Sequence, residues 1–382
     1  MWQIVFIIVI TLFTGGYIAL ILYYHNLFSR LKPFQLQNIA CKTKFSVVIP
    51  ARNEEESIGI CIRSIYQNNY PAHLFEVIVI DDHSIDNTSV VVAELQEKFA
   101  TLKLIRLAET INGKLLNAYK KKAIETAISQ TSGDWIITTD ADCIVPNEWF
   151  NSYDNYIQQH EPTLVAGPVK FKNSGSFVSI FQCLDFLSLQ GITAAAVSAN
   201  KHSMCNGANL AYQKSAFFEV NGFKGIDNVA SGDDMLLMHK MKKRFPGKLG
   251  YLFSSDAIVS TTPMPDWKSF FNQRIRWASK AEKYDDKSII AVLALVYFYN
   301  LFLLVLGILS FIDVFYCYLL IVSLIGKTIV ELSFMFSIAA FYREKQLLWW
   351  FPVMQPFHIT YMVVAGWLGK FGSYKWKGRK VK

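Results

Sequence analysis

The sequence predicts an α/β protein, a doubly wound and mostly parallel sheet carried between membrane-spanning helices. Three observations predict it. Short β-branched runs alternate with helical stretches from Lys44 to about Asp142. Long uncharged apolar runs lie toward both ends of the chain. The composition, 52% hydrophobic with a mean hydropathy of +0.24, is too apolar for a wholly soluble protein of 382 residues. The division expected is an anchor over 1–26, a cytoplasmic α/β domain over 44–286, a second membrane region over 288–369 and a basic tail over 370–382.

Trp2 to Tyr24 carries no charge and is long enough to span a bilayer. Tyr23 and Tyr24 would sit at the interface, with Arg30 and Lys32 beyond it. A secretory signal is the competing reading. The missing basic start, the length and the lack of a small-residue cleavage site favour a retained anchor ending in the cytoplasm.

Phe45 to Pro50 reads as a buried strand, and Arg52 to Ile58 as a helix opening with acids in its first turn. Glu76 to Ile80 is the next strand, followed by a helix to about Phe99 and a strand over Leu102 to Leu107. Gly113-Lys114 starts a lysine-rich helix to about Ser129, and Trp135-Ile136-Ile137 forms the strand after it. In such sheets ligands bind at the carboxyl ends of the strands, where Asp81, Asp82, Asp140 and Asp142 all fall. Alternation along an extended chain would point Asp140 and Asp142 to one side, toward one hard divalent cation. A bare Asp-x-Asp is commonly no more than a pair of exposed loop acids. Its convergence with Asp81 and Asp82 argues otherwise.

Lys114, at a helix start, is placed for a diphosphate, whereas Lys120-Lys121-Lys122 reads as a solvated or membrane-facing surface. The apolar stretch from Ser176 to Ala199 is interrupted by Gln182, Asp185 and Gln190. It suits a helix at the membrane interface or packed beneath the site better than a span. Asn206 to Tyr212 reads as a loop entering a strand, and Asp233-Asp234 as acids at a helix start. One of that pair can cap the helix, leaving the other as a general base. On a helix, Gln273, Arg276 and Trp277 share a face of amide, planar cation and stacking ring, suited to a phosphate and a sugar.

Ser288 to Phe311 reads as one span and Leu347 to Leu368 as another, kinked by Pro352 and Pro356. Between them Ile312 to Tyr342, interrupted by Lys327 and Glu331, is one long span or a tight pair. The tail (Lys370, Lys375, Lys377, Arg379, Lys380, Lys382) belongs in the cytoplasm, which requires an even number of crossings after the α/β region. Four are expected, one short or re-entrant. The net charge of +8 gathers near apolar segments and at the tail, which suits an anionic membrane face and not nucleic acid. Six scattered cysteines without a C-x-x-C pair imply reduced thiols. Neither G-x-G-x-x-G nor G-x-x-x-x-G-K-[ST] is present, which removes support for dinucleotide enzymes and P-loop NTPases.

Five pieces in order resemble the membrane-bound family 2 glycosyltransferases with the GT-A fold, in the branch of cellulose, hyaluronan and poly-N-acetylglucosamine synthases. They are Val48-Ile49-Pro50-Ala51-Arg52-Asn53-Glu54, Asp81-Asp82-His83-Ser84-x-Asp86-x-Thr88, Asp140-Ala141-Asp142, Gly232-Asp233-Asp234 and Gln273-x-x-Arg276-Trp277. The resemblance covers Lys44 to about Ala278. It implies transfer of a sugar from a UDP-sugar donor to a lipid or growing glycan acceptor at the inner cell membrane. Pro50, Arg52, Glu54, Asp81 and Asp82 would line the nucleotide pocket, with Lys114 near the diphosphate. Asp140 and Asp142 would hold Mg²⁺ or Mn²⁺. Asp234 would deprotonate the acceptor, with Asp233 as the alternative. Gln273, Arg276 and Trp277 would sit over the diphosphate and acceptor end, and Asn206 to Asn209 would face the acceptor. A processive polysaccharide synthase and a non-catalytic nucleotide-binding subunit of a synthase complex are the other readings. Long products would mark the first, and loss of Asp234 or Gln273, both present here, would have marked the second.

Overall fold

The computed structural model describes residues 2–110, 118–201, 204–229, 231–279, 287–372, 374–376 and 379–381. The strands are β1 (Phe45–Ala51), β2 (Phe75–Asp81), β3 (Leu102–Arg106), β4 (Trp135–Thr138), β5 (Leu164–Ala166), β6 (Val169–Phe171), β7 (Leu210–Gln213), β8 (Leu249–Tyr251) and β9 (Val259–Thr261). Seven of them form one sheet in the order β3-β2-β1-β4-β7-β5-β8, while β6 and β9 pair apart from it. Neighbours from β3 to β4 run parallel, and β7 is antiparallel to both β4 and β5. β1 and β2 are buried nearly throughout, which is why they read as continuous Val and Ile runs instead of alternating ones.

The helices are α1 (Trp2–Ser29), α2 (Ile58–Tyr66), α3 (Thr88–Gln96), α4 (Leu107–Thr110), α5 (Tyr119–Ser129), α6 (Trp149–His160), α7 (Phe177–Ser198), α8 (Lys214–Glu219), α9 (Met235–Arg244), α10 (Trp267–Ala278), α11 (Lys287–Leu309), α12 (Val314–Tyr342) and α13 (Phe351–Phe371). α2 starts later than expected. The amides of Asn53, Glu54 and Glu55 bond to Ser84, Thr88 and Asp86 of the loop after β2, so 52–57 is a turn and its acids precede the helix. This cross-loop stitching fixes the loops after β1 and β2 against each other.

Among the described residues, four helices are long and apolar enough to cross a membrane: 3–29, 177–198, 288–309 and 314–342. α7 is one of them by composition only. With 83% of its apolar window buried inside the protein, it packs beneath the site, as its polar interruptions suggest. The stretch over 312–342 is resolved as a single helix, α12, whose charges are internal. Lys327 Nζ reaches Glu331 Oε1 and Gln355 Oε1, both at 2.7 Å, and Tyr17 of α1 donates to Glu331. An i,i+4 pair that satisfies itself against two other helices removes the need for a break there.

The stretch expected as a span over 347–368 holds most of α13. α13 runs alongside α10: Phe357 stacks on Trp267 at 6.2 Å, Tyr361 meets Phe270 at 5.2 Å, and Gly369 lies against Ala278. It is therefore bound along the α/β domain, and it is not among the helices apolar enough to cross. Among the described residues after the α/β region, α11 and α12, joined at 310–313, are the helices long and apolar enough to cross a membrane. α12 returns to the domain, where Glu344 pairs with Lys170 at 2.9 Å and Phe341 stacks on Phe253 at 3.9 Å.

Candidate active site

The β4 strand ends at Thr138, and the chain turns at once: Cys143 N donates to Asp140 O at 3.1 Å. The segment is a turn and not the extended chain expected, yet Asp140 and Asp142 still line one cleft of about 850 Å³. Thr261, at the end of β9, donates to Asp142 Oδ2 at 3.1 Å and fixes that carboxylate. Burial, reinforced by the charges of Asp140 and Glu54, pushes the Asp142 carboxyl up to about 6. A divalent cation would relieve that repulsion, so the pair suits a hard metal. No cluster of three or more His, Cys, Asp or Glu able to hold a metal occurs among the described residues. Two carboxylates alone leave coordination positions for ligand oxygens.

Lys120, expected on the surface, is the bridge of the site. Its Nζ lies 2.9 Å from Asp140 Oδ1 and 3.3 Å from Asp233 Oδ2, both of which line the cleft. Burial alone would lower its pKa, but the charges of Asp140 and Asp233 outweigh it and hold the ammonium form. Lys121 is 1% exposed, and its Nζ donates to the carbonyls of Ile226, Val229 and Ser231. It thereby ties down the loop that presents Asp233 and Asp234. Only Lys122 behaves as expected, pairing with Glu125 near the surface. Lys114 lies outside the described residues, as do Lys377 and Lys382 of the tail.

Gly232, at φ +80°, makes the left-handed turn that precedes the two acids. Asp234 then caps α9, its Oδ1 accepting from Met235 N at 2.7 Å, while its Oδ2 accepts from Gly207 N at 3.2 Å. Gly207 lies directly against Asp233, Asp234 and Lys120, where a Cβ would meet them at ordinary contact distances of 3.4–3.8 Å. Asn206 lines the cleft and its Oδ1 accepts from Ala208 N. Asn209 does not face the acceptor side. It is fully buried, accepting from Trp149 and Tyr153 and donating to the carbonyls of Pro168 and Ala257, which uses its whole carboxamide.

The cleft brings Asp140, Asp142, Asn206, Asp233, Asp234, Gln273, Arg276 and Trp277 together. Pro50, Arg52, Glu54, Asp81 and Asp82 form a separate group at the ends of β1 and β2 and do not line it. Within that group Asp81 holds its own loop, accepting from Ser84 N and Ser89 Oγ, so it shapes the pocket instead of presenting a carboxylate. Arg52 donates to the carbonyls of Asp82 and His83, and Asp82 lies 2.9 Å from His83 Nδ1.

Beyond Trp277 the cleft changes character. Its walls become Leu293, Ala294 and Phe298 of α11 with Ala365 and Trp367 of α13, and it runs apolar into the helical region. One cavity thus joins an acidic end to an apolar end.

A parallel sheet with acids at its carboxyl ends, continued by the antiparallel β7, defines a nucleotide-diphospho-sugar transferase fold of the GT-A type. The chain belongs to glycosyl transferase family group 2, which matches residues 135–368, and glycosyl transferase family 2 matches residues 46–219. It is 27% identical over 267 residues to the probable glycosyltransferase YdaM of Bacillus subtilis, covering 66% of this chain and 58% of that one. It is 26% identical to an N-acetylglucosaminyltransferase of Rhizobium meliloti, covering 61% and 54%. It is 27% identical to the poly-beta-1,6-N-acetyl-D-glucosamine synthase of Staphylococcus aureus, covering 59% and 52%. The chain spans little more than half the length of these relatives. In structure it resembles the mannosyltransferase PcManGT of Pyrobaculum calidifontis, solved with GDP-Man and Mn²⁺, with a TM-score of 0.59 over 93% of this chain and 99% of that one at 18% identity.

Proposed function

We propose that the protein is a membrane-bound, metal-dependent, inverting glycosyltransferase that moves one sugar from a UDP-sugar to a lipid acceptor. The observation that carries this reading is the single cleft, acidic at the end of β4 and apolar between α11 and α13. A sugar donor suits the first end. An alkyl or prenyl chain suits the second, because apolar walls stabilise such a chain and offer few polar partners to glycan hydroxyls. That contrast favours a single transfer to lipid over extrusion of a polymer.

In this reading Asp82 and its neighbours at the β1 and β2 ends receive the nucleotide, and Lys120 takes the diphosphate-side role first given to Lys114. Asp140 and Asp142 would hold Mg²⁺ or Mn²⁺ with diphosphate oxygens, supplying a Lewis acid against charge growing on the leaving UDP. Asp234, oriented by two backbone amides, accepts the proton of the acceptor hydroxyl. The hydroxyl oxygen then bonds to the anomeric carbon from the face opposite the diphosphate. The bond from that carbon to UDP breaks with its electron pair on the UDP oxygen, and the configuration inverts. Asp233 is the weaker base because it is tied to Lys120. α1, α11 and α12 cross the inner membrane with the α/β domain in the cytoplasm, and α13 and α10 lie along the membrane face.

The test reconstitutes the full chain in phospholipid vesicles with Mn²⁺. UDP-glucose, UDP-N-acetylglucosamine and GDP-mannose are each offered with polyprenyl phosphate or diacylglycerol. One donor should release nucleotide and yield a lipid carrying one sugar, lost on chelation and in Asp234→Asn. Long glycan products would instead establish the polymer synthase, and tight UDP binding without turnover on any pair would establish the non-catalytic subunit.

A further inference from the structure

Gln273 and Trp277 reach the cleft from a helix at the membrane face, and something must hold a flexible amide and an indole in one geometry there. We propose that Arg274, locked by Asp185 of α7, is the positioning residue that fixes both. This rests on the reading that Gln273 and Trp277 meet the donor diphosphate and the acceptor.

Arg274 is 4% exposed although it lies within the same motif. Its Nε donates to Asp185 Oδ2 at 3.0 Å and its Nη2 lies 2.7 Å from the same oxygen, an ion pair with both side chains 3% exposed. The other oxygen of Asp185 accepts from Tyr361 of α13 at 2.6 Å, so the pair joins α7, α10 and α13. The guanidinium does two further things. Its Nη1 donates to Gln273 Oε1 at 3.0 Å, and its plane lies over the Trp277 ring with Cζ 4.1 Å from the centroid.

The first contact decides chemistry. With its oxygen held by Arg274, the Gln273 amide turns its Nε2 donors away from the arginine, and donors match phosphate and hydroxyl oxygens. The second fixes the plane of the ring, against which a sugar or lipid head can stack. A lysine would keep the charge opposite Asp185 but lacks the planar fork and face that make both contacts. Asp185 and Arg274 are buried as a pair, so removing either charge alone would leave the other unpaired at a depth where that is costly.

The experiment compares Arg274→Lys, the double variant Asp185→Asn with Arg274→Gln, and the direct variants Gln273→Ala and Trp277→Ala. Transfer rate, UDP–Mn²⁺ affinity and melting temperature are read for each in vesicles. Arg274→Lys should melt near the wild type yet lose transfer by about 100-fold, the scale of a misplaced reacting group. The double variant, free of buried charge, should also fold without recovering transfer. UDP–Mn²⁺ affinity, set chiefly at the β-strand ends, should stay within about threefold as a check on folding of the sheet. Transfer within about twofold of wild type in both arginine variants overturns the proposal while the direct variants remain impaired. Should Gln273→Ala and Trp277→Ala change neither transfer nor UDP affinity, the reading of the motif itself fails.

Discussion

The two ends of the cleft are built differently. The acidic end is assembled from strand termini and short turns: Asp140 and Asp142 follow β4 directly, and Asp233 and Asp234 open α9. The apolar end is assembled from helices far apart in the chain, with α10, α11 and α13 meeting only in the folded protein. At the first end each acid has a polar partner: Lys120 for Asp140 and Asp233, Thr261 for Asp142, and the Gly207 and Met235 amides for Asp234. The second depends on packing of side chains across helices. In the proposed reading, chemistry would be placed on the sheet and acceptor selection on the helices.

The largest break in this comparison is Asp140→Asn. It should lower turnover by about 10³-fold with helical circular dichroism and membrane insertion unchanged, because it removes the charge proposed to hold the metal and the pairing with Lys120 but no packing. Equal activity in that variant would remove chemistry from the acidic end. Ala294→Trp attacks the other end by filling the apolar cleft. It should lower transfer to lipid by about 10-fold, with UDP–Mn²⁺ affinity unchanged by titration calorimetry. Loss of nucleotide affinity there would show that the two ends are not separable.

The smallest effect on activity is expected at Glu76, which braces the sheet away from the cleft. Burial alone would raise its pKa, but the Lys103 ammonium, the Ser132 amide and hydroxyl and the Ser46 hydroxyl outweigh it and hold the carboxyl at about 2. A depressed folded value means its contribution is fully present above about 4.5, the ordinary value, and is lost as pH falls toward 2. Thermal melts of the wild type should therefore show a fall in stability across that window that is smaller in Glu76→Ala. At neutral pH the variant should lose about 1–3 kcal/mol of stability by denaturant titration and keep its turnover.

The lysine run shows most sharply what could be read from sequence. Lys120, Lys121 and Lys122 look alike in the chain, yet one bridges Asp140 and Asp233, one holds the loop before Asp233, and one faces solvent. A side chain takes its role from the wall it faces, and that wall lies about a hundred residues onward. Asn209 errs in the opposite direction, a polar residue beside the site whose amide is consumed by four core partners. Arg274 and Asp185 were hidden for the same reason, being partners across 89 positions.

The sequence by itself determined the α/β sheet, the acids at its strand ends, the helix start at Asp233-Asp234, and the apolar helices over 3–29 and 288–309. Those follow from periodicity and local hydrogen bonding, which act within a few residues. Only the tertiary structure decided that 314–342 is one helix, that α13 packs along α10, and that the acidic cleft opens onto apolar walls. Each depends on which face meets which across long separations, and burial of a charge or an amide is affordable only where its partner arrives.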